Sequence, residues 1–176
     1  MWYTTDEFNF IPGLQPFNYE TALALGSSPF PCRRVNMGKY GSMLAIVSLN
    51  NPSTQVIWVN SYSTGTPGGA GSGTTYPLVT GNYRYSTATV STNLTGSGSE
   101  VLSARTALPT TGIAITAATT SLINYYIEVK SDDLIDGYPY VAVAISTSAG
   151  CSTCGICVNY VMKPRYPQKD MMTAIS

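Results

Sequence analysis

The sequence predicts an all-β protein, an antiparallel sandwich of eight strands, and three observations carry this. Turn signals recur roughly every 8–14 residues. The segments between them either alternate with a period of two or run continuously apolar, as half-buried and fully buried strands do. No long amphipathic helix interrupts them. The chain of 176 residues suits one domain large enough to bury a core.

The strands follow in order. GSMLAIVSL (41–49) is apolar, and NNPS after it is a turn. QVIWVNSY (55–62) is rich in β-branched and aromatic residues, which pack well on a pleated surface. STGTPGGAGSGTTYP (63–77) holds too much Gly for a regular element and is expected to be a long exposed loop. YRYSTATVS (83–91) sets Tyr83, Tyr85, Thr87 and Thr89 against Arg84, Ser86, Ala88 and Val90. EVLSARTAL (100–108) and TGIAITAA (111–118) are shorter candidates on either side of Pro109. LINYYIEVK (122–130), YPYVAVAIS (138–146) and GICVNYVMK (155–163) complete the set. Eight strands over about 125 residues, with long loops, fit a jelly roll better than an immunoglobulin-like sandwich of about seven strands in about 100 residues.

Three regions result: an irregular N-terminal arm (1–37), a jelly-roll domain (38–163) and a short C-terminal tail (164–176). The arm is punctuated by Pro12, Pro16, Pro29 and Pro31, and NYETALALG (18–26) could form a helical turn or two between Asn18 and Gly26. It is also aromatic. Trp2, Tyr3, Phe8, Phe10 and Phe17 need a surface to lie on. With Met171, Met172 and Ile175 at the other end, they are the candidate subunit-interface anchors. No basic-then-apolar leader opens the chain, so a signal peptide is not expected, and no apolar run is long enough to span a membrane.

Charged residues make up only 10%, nine of each sign, against roughly 25% on average. Such a neutral surface suits a protein that covers itself with copies of itself. There is no His, which removes the usual general base, the commonest metal ligand and any His-dependent nucleophile. No nucleotide, hydrolase or metal-helix motif occurs. Glu100 and Glu128 fall on strand candidates and could pair as glycosidase carboxylates do, but nothing in the sequence brings them together. An enzyme is not expected.

Three of the four cysteines stand in CSTCGIC (151–157). A ferredoxin-type run needs a fourth Cys three residues on, and position 161 is Val. A zinc site would have to recruit the solitary Cys32. From Cys157 onward the chain alternates, with Cys157, Asn159 and Val161 on one face and Val158, Tyr160 and Met162 on the other. Free thiols on the lip of a strand are the favoured reading, ahead of a disulfide or a metal. SDDLIDG (131–137) reads first as a solvated turn. Its second reading is a calcium site of Asp132, Asp133 and Asp136, completed at a contact between subunits; no other cofactor is expected.

Arg33, Arg34, Lys39, Lys163, Arg165 and Lys169 flank the sandwich in two sparse sets. If the first and last strands are neighbours, the sets share a face and contact RNA weakly, in a salt-dependent way, with Tyr160 and Tyr166 available for base stacking. Ordinary solubilising charge is the alternative.

The aromatic, Pro-punctuated arm, the Ser/Thr/Val-rich strands, the loop TGTPGGAGSGTTY and the tail MKPRYPQKDMMTAIS together resemble the single jelly-roll coat proteins of small non-enveloped icosahedral RNA viruses, including satellite viruses. The resemblance implies a homo-oligomeric capsid subunit that self-assembles around a viral genome, in a virion put together in the host cytoplasm. One departure concerns the arm. Many such proteins begin with Arg and Lys, whereas the first 32 residues here contain neither and carry Asp6, Glu7 and Glu20. The competing class is an extracellular adhesin, lectin-like or fibre-subunit module, which low charge, Gly loops and the N-glycosylation triplet Asn93–Thr95 also suit.

Overall fold

The computed structural model describes residues 8–18, 30–50, 55–65, 79–89, 102–115, 121–147 and 155–165. They form an all-β structure of two antiparallel sheets with two single 3-10 turns and no longer helix. In chain order the strands are β1 (Asn9–Asn18), β2 (Phe30–Pro31), β3 (Val35–Asn36), β4 (Tyr40–Asn50), β5 (Gln55–Tyr62), β6 (Asn82–Thr89), β7 (Thr106–Ala107), β8 (Ile113–Ile115), β9 (Ser121–Lys130), β10 (Tyr140–Thr147) and β11 (Gly155–Pro164). The larger sheet runs β1-β11-β4-β9-β6-β7, and the smaller runs β2-β10-β5-β8 with β3 also on β10.

The pairing is nested. β1 pairs with β11, β2 and β3 with β10, β4 with β9, and β5 with β8, so that successive pairs alternate between the sheets. The β6–β7 pair falls between β5 and β8 and extends the larger sheet beyond β9.

Period-two burial explains each long strand. β4 buries Met43, Ala45, Val47 and Leu49, while β9 buries Ile123, Tyr125, Ile127 and Val129. β11 buries Ile156, Val158, Tyr160 and Met162 and turns Cys157, Asn159 and Val161 outward, the alternation read from the sequence. Each large apolar side chain so covered stabilises by about 1.5–3 kcal/mol. In β10 the run VAVA places Val141 and Val143 in the core and the small Ala142 and Ala144 on the opposite face, and all four are buried.

The strands expected at 41–49, 55–62, 83–91, 122–130, 138–146 and 155–163 are present with boundaries shifted by at most two residues. Two readings are corrected. Residues 1–37 are not irregular throughout, because 9–18, 30–31 and 35–36 are strands. Pro12 and Pro16 are tolerated in β1 because it is the edge strand of the larger sheet, where a missing N–H costs least. Residues 19–29, which cover the rest of the expected helical turn, lie outside the described residues, as does most of the Gly-rich loop.

The second correction concerns 100–108, where among the described residues 102–108 only Thr106 and Ala107 join a ladder. Upstream, Ser103 follows β6 irregularly: its amide donates to the Tyr85 carbonyl at 2.9 Å while its hydroxyl accepts from the Tyr85 amide at 2.9 Å. A side chain there replaces the backbone acceptor a regular strand would supply.

Backbone bonds also tie the two sheets together along their sides. The Arg33 amide donates to the Gly13 carbonyl of β1 at 2.9 Å, and on the far side the Val79 amide donates to Val59 of β5 at 3.0 Å. At Pro109–Gly112 a turn closes with the Gly112 amide on the Pro109 carbonyl at 3.0 Å. Gly112 has φ +82°, and a Cβ there would lie 2.6 Å from Trp58 Nε1.

Candidate interaction surfaces

One end of the sandwich gathers the entry of β1, the 3-10 turn Met37–Lys39, the connection 131–139 and the exit of β11. Arg165, just past the last strand, fastens this end. Its Nη2 donates to Ser131 Oγ at 2.7 Å and to Asp132 Oδ1 at 3.1 Å, and its amide donates to the Lys39 carbonyl at 3.4 Å. The Ser131 hydroxyl donates in turn to the Gly41 carbonyl at 3.3 Å. The ends of β4, β9 and β11 are thereby joined through side chains.

This arrangement brings together residues that the sequence sorted into different sites. Asp132, a candidate calcium ligand, is the ion-pair partner of Arg165, a candidate phosphate contact. Asp133 and Asp136 are exposed in the same connection. Among the described residues no three of Cys, Asp and Glu are gathered closely enough to hold a metal ion.

The basic set divides. Arg33, Lys39 and Lys163 are exposed, and Lys169 lies outside the described residues. Arg34 is a correction, because it is buried at 6% exposure. Its guanidinium sits 3.8 Å from the centroid of the Tyr62 ring, and its Nη1 donates to the Thr64 carbonyl at 3.1 Å. A cation held over an aromatic face and a carbonyl serves the fold, not a surface ligand. Tyr160 is corrected likewise. It is fully buried, so it offers no ring for stacking, and Tyr166 lies outside the described residues.

Of the expected interface anchors, Phe10 is 55% exposed on the outer face of β1, Phe8 is half-buried beside it, and Phe17 pairs through its backbone with Ile156. Trp2, Tyr3, Met171, Met172 and Ile175 lie outside the described residues. Phe10 is in register with Val161 of β11 and, through it, with Leu44 of β4, so an apolar row crosses three strands of the larger sheet on the side away from the core.

Cys32 and Cys157 are free thiols, the first buried and the second half-buried. Burial pushes the Cys32 thiol well above its ordinary range, with a smaller contribution from Cys157, so it is an inert core residue. Cys151 and Cys154 lie outside the described residues. Glu128 is paired with Arg105, and Glu100 lies outside the described residues.

Two cations escaped the reading of the sequence. The sequence marks Lys130 only as the end of a strand and Arg105 only as part of one, yet both line a groove of about 420 Å³ on the outer face of the larger sheet, with Phe8, Ser42 and Lys163. Their spacing along the chain carries no sign of this, because the groove is made where β11, β4 and β9 lie side by side and the starts of β6 and β7 flank them.

No protein-family model matches the chain, no curated protein is detectably similar to it, and no solved structure matches it.

Proposed function

We propose that the chain is a shell subunit, a coat protein that self-assembles into an icosahedral capsid around a viral genome, built on a jelly roll with an added β6–β7 pair. The nested pairing of strands carries the reading. A jelly roll is one long antiparallel hairpin rolled up, in which the first strand pairs with the eighth, the second with the seventh, the third with the sixth and the fourth with the fifth. The pairs β1–β11, β2/β3–β10, β4–β9 and β5–β8 follow that order once β2 and β3 are counted as one interrupted strand and the β6–β7 pair as an insertion.

Composition supports the same conclusion. With 10% charged residues the surface has little to keep copies apart. The row Phe10–Val161–Leu44 offers the apolar centre that a contact of about 1,600 Å² is built around. Closed symmetry then lets one self-complementary set of patches make a container.

The test is particle sizing by light scattering and electron microscopy of the purified chain. Closed particles of uniform size are expected. Removal of residues 1–7, which leaves β1 in place, and Phe10→Asp should each prevent closure without loss of β-structure by circular dichroism. Monomers or fibres from the intact chain would reject the capsid in favour of an appendage module.

A further inference from the structure

Tyr85 of β6 and Tyr125 of β9 are directly opposed across an antiparallel pair of strands. Residues opposed in this way emerge on one face of a sheet, with Cβ atoms about 4.5–5.5 Å apart. Their ring centroids lie 5.8 Å apart at an interplanar angle of 38°. The shared face is the inner one, because Tyr125 packs in the core with Ile123 and Ile127. Even so, Tyr85 is 42% exposed while Tyr125 is 6% exposed. β6 lies beyond β9 in the larger sheet, so Tyr85 stands at the open side of the sandwich with its partner behind it. The other described tyrosines are buried or half-buried.

A phenol that solvent reaches, in ring contact with one that solvent does not, is an entry point for an oxidant and a neighbour to receive the radical. We propose that Tyr85 and Tyr125 form a modification site, at which a one-electron oxidant such as a peroxidase supplied with hydrogen peroxide joins the two rings into a dityrosine. Tyr85 first gives an electron to the oxidant and its phenolic proton to water. The resulting radical takes an electron and a proton from Tyr125, and a second oxidising equivalent removes an electron and a proton from Tyr85 again. The two radicals then form one carbon–carbon bond between ring positions ortho to the oxygens. Each displaced ring hydrogen moves to the phenolic oxygen of its own ring. Two electrons and two protons leave in all, and one peroxide is reduced to two waters.

Tyr83 is the less suitable partner. It is half-buried, it is opposed by Ile127, and it reaches Tyr125 only diagonally, with centroids 6.2 Å apart. The bond would staple β6 to β9. On its other side β6 pairs with only the two residues of β7 and with the irregular contact at Ser103. A covalent link between strands far apart in the chain restricts the unfolded state, as a disulfide does. The inference does not depend on shell formation, because both rings belong to one subunit.

The chain has 13 tyrosines, so the test must identify the pair. The full chain is treated with horseradish-type peroxidase and limiting hydrogen peroxide, with free tyrosine in a parallel tube to show that the oxidant is active, and is then digested with trypsin. Cleavage after Arg84, Arg105 and Lys130 puts Tyr85 alone in the fragment 85–105, Tyr125 and Tyr126 in 106–130, and Tyr83 in neither. Mass spectrometry should find 85–105 joined to 106–130, lighter than their sum by two hydrogen atoms, as the main cross-linked product. Tyr85→Phe and Tyr125→Phe, which keep the rings, should each abolish it. Tyr83→Phe and Tyr126→Phe should retain it. In concentrated urea, where register is lost, the link should no longer be preferred over those between other tyrosines. Absence of the linked fragments while free tyrosine is converted would overturn the proposal. So would their survival in Tyr125→Phe, or an equal preference for them in urea.

Discussion

The Tyr160 hydroxyl accepts a hydrogen bond from the Val143 amide at 3.1 Å, across the core from the larger sheet to the smaller. At that point β10 is flanked by Cys32–Arg34, the break between β2 and β3, so the ladder has no regular strand to satisfy the amide. The phenol supplies the acceptor. Burial is the main reason its own ionisation is pushed well above the ordinary range.

Tyr160→Phe keeps the ring and leaves the Val143 amide buried without its acceptor. A loss of about 1–3 kcal/mol is expected, read as a lower urea midpoint with an unchanged m-value. An unchanged midpoint would mean that the bond contributes nothing.

Gly13→Ala tests the other side of the same ring. A Cβ on Gly13 would lie 2.5 Å from Tyr160 Cε2, and the ring is wedged in the core and cannot swing away. Overpacking of this kind costs about 1–3 kcal/mol. In the background of Tyr160→Ala the penalty should largely disappear, which a double-mutant cycle would measure.

The chain should lose stability in alkali. Burial, then the neighbouring Tyr83 and Tyr85, raise Tyr125 from 10.0 to about 12. The folded state therefore holds that proton where the unfolded state has released it. Its contribution is complete below pH 10 and is lost as pH rises toward 12. Cys32, raised by burial from 9.0, acts with the same sign from about pH 9 upward. Unfolding midpoints measured between pH 7 and pH 11 should be level at first and then fall, and Tyr125→Phe should shallow the fall above pH 10.

The ion pair of Arg165 with Asp132 should matter little to global stability. Its side chains are 43% and 86% exposed, so solvent screens it, and Asp132→Asn should cost less than about 1 kcal/mol. Arg165→Ala also removes the bond to Ser131 Oγ, and its effect should be local. Faster hydrogen exchange at Leu134, whose amide donates to the Ser131 carbonyl, is the expected readout, with the β4 and β9 amides unchanged.

The amino-acid sequence by itself determined where the long strands run and which side of each faces inward. Alternation within β4, β9 and β11 is a local property, and a local pattern needs no knowledge of neighbours. It did not reveal that β1 belongs to a sheet, because Pro12 and Pro16 read as breakers until β11 is seen to occupy one edge only. Nor could it show that Arg34 lies over Tyr62, that Asp132 meets Arg165, or that Lys130 and Lys163 flank Ser42. These juxtapositions join residues 28 to 121 positions apart. Only the antiparallel register of strands distant in the chain brings them within reach, and register is settled by burying whole faces together, not by any short segment.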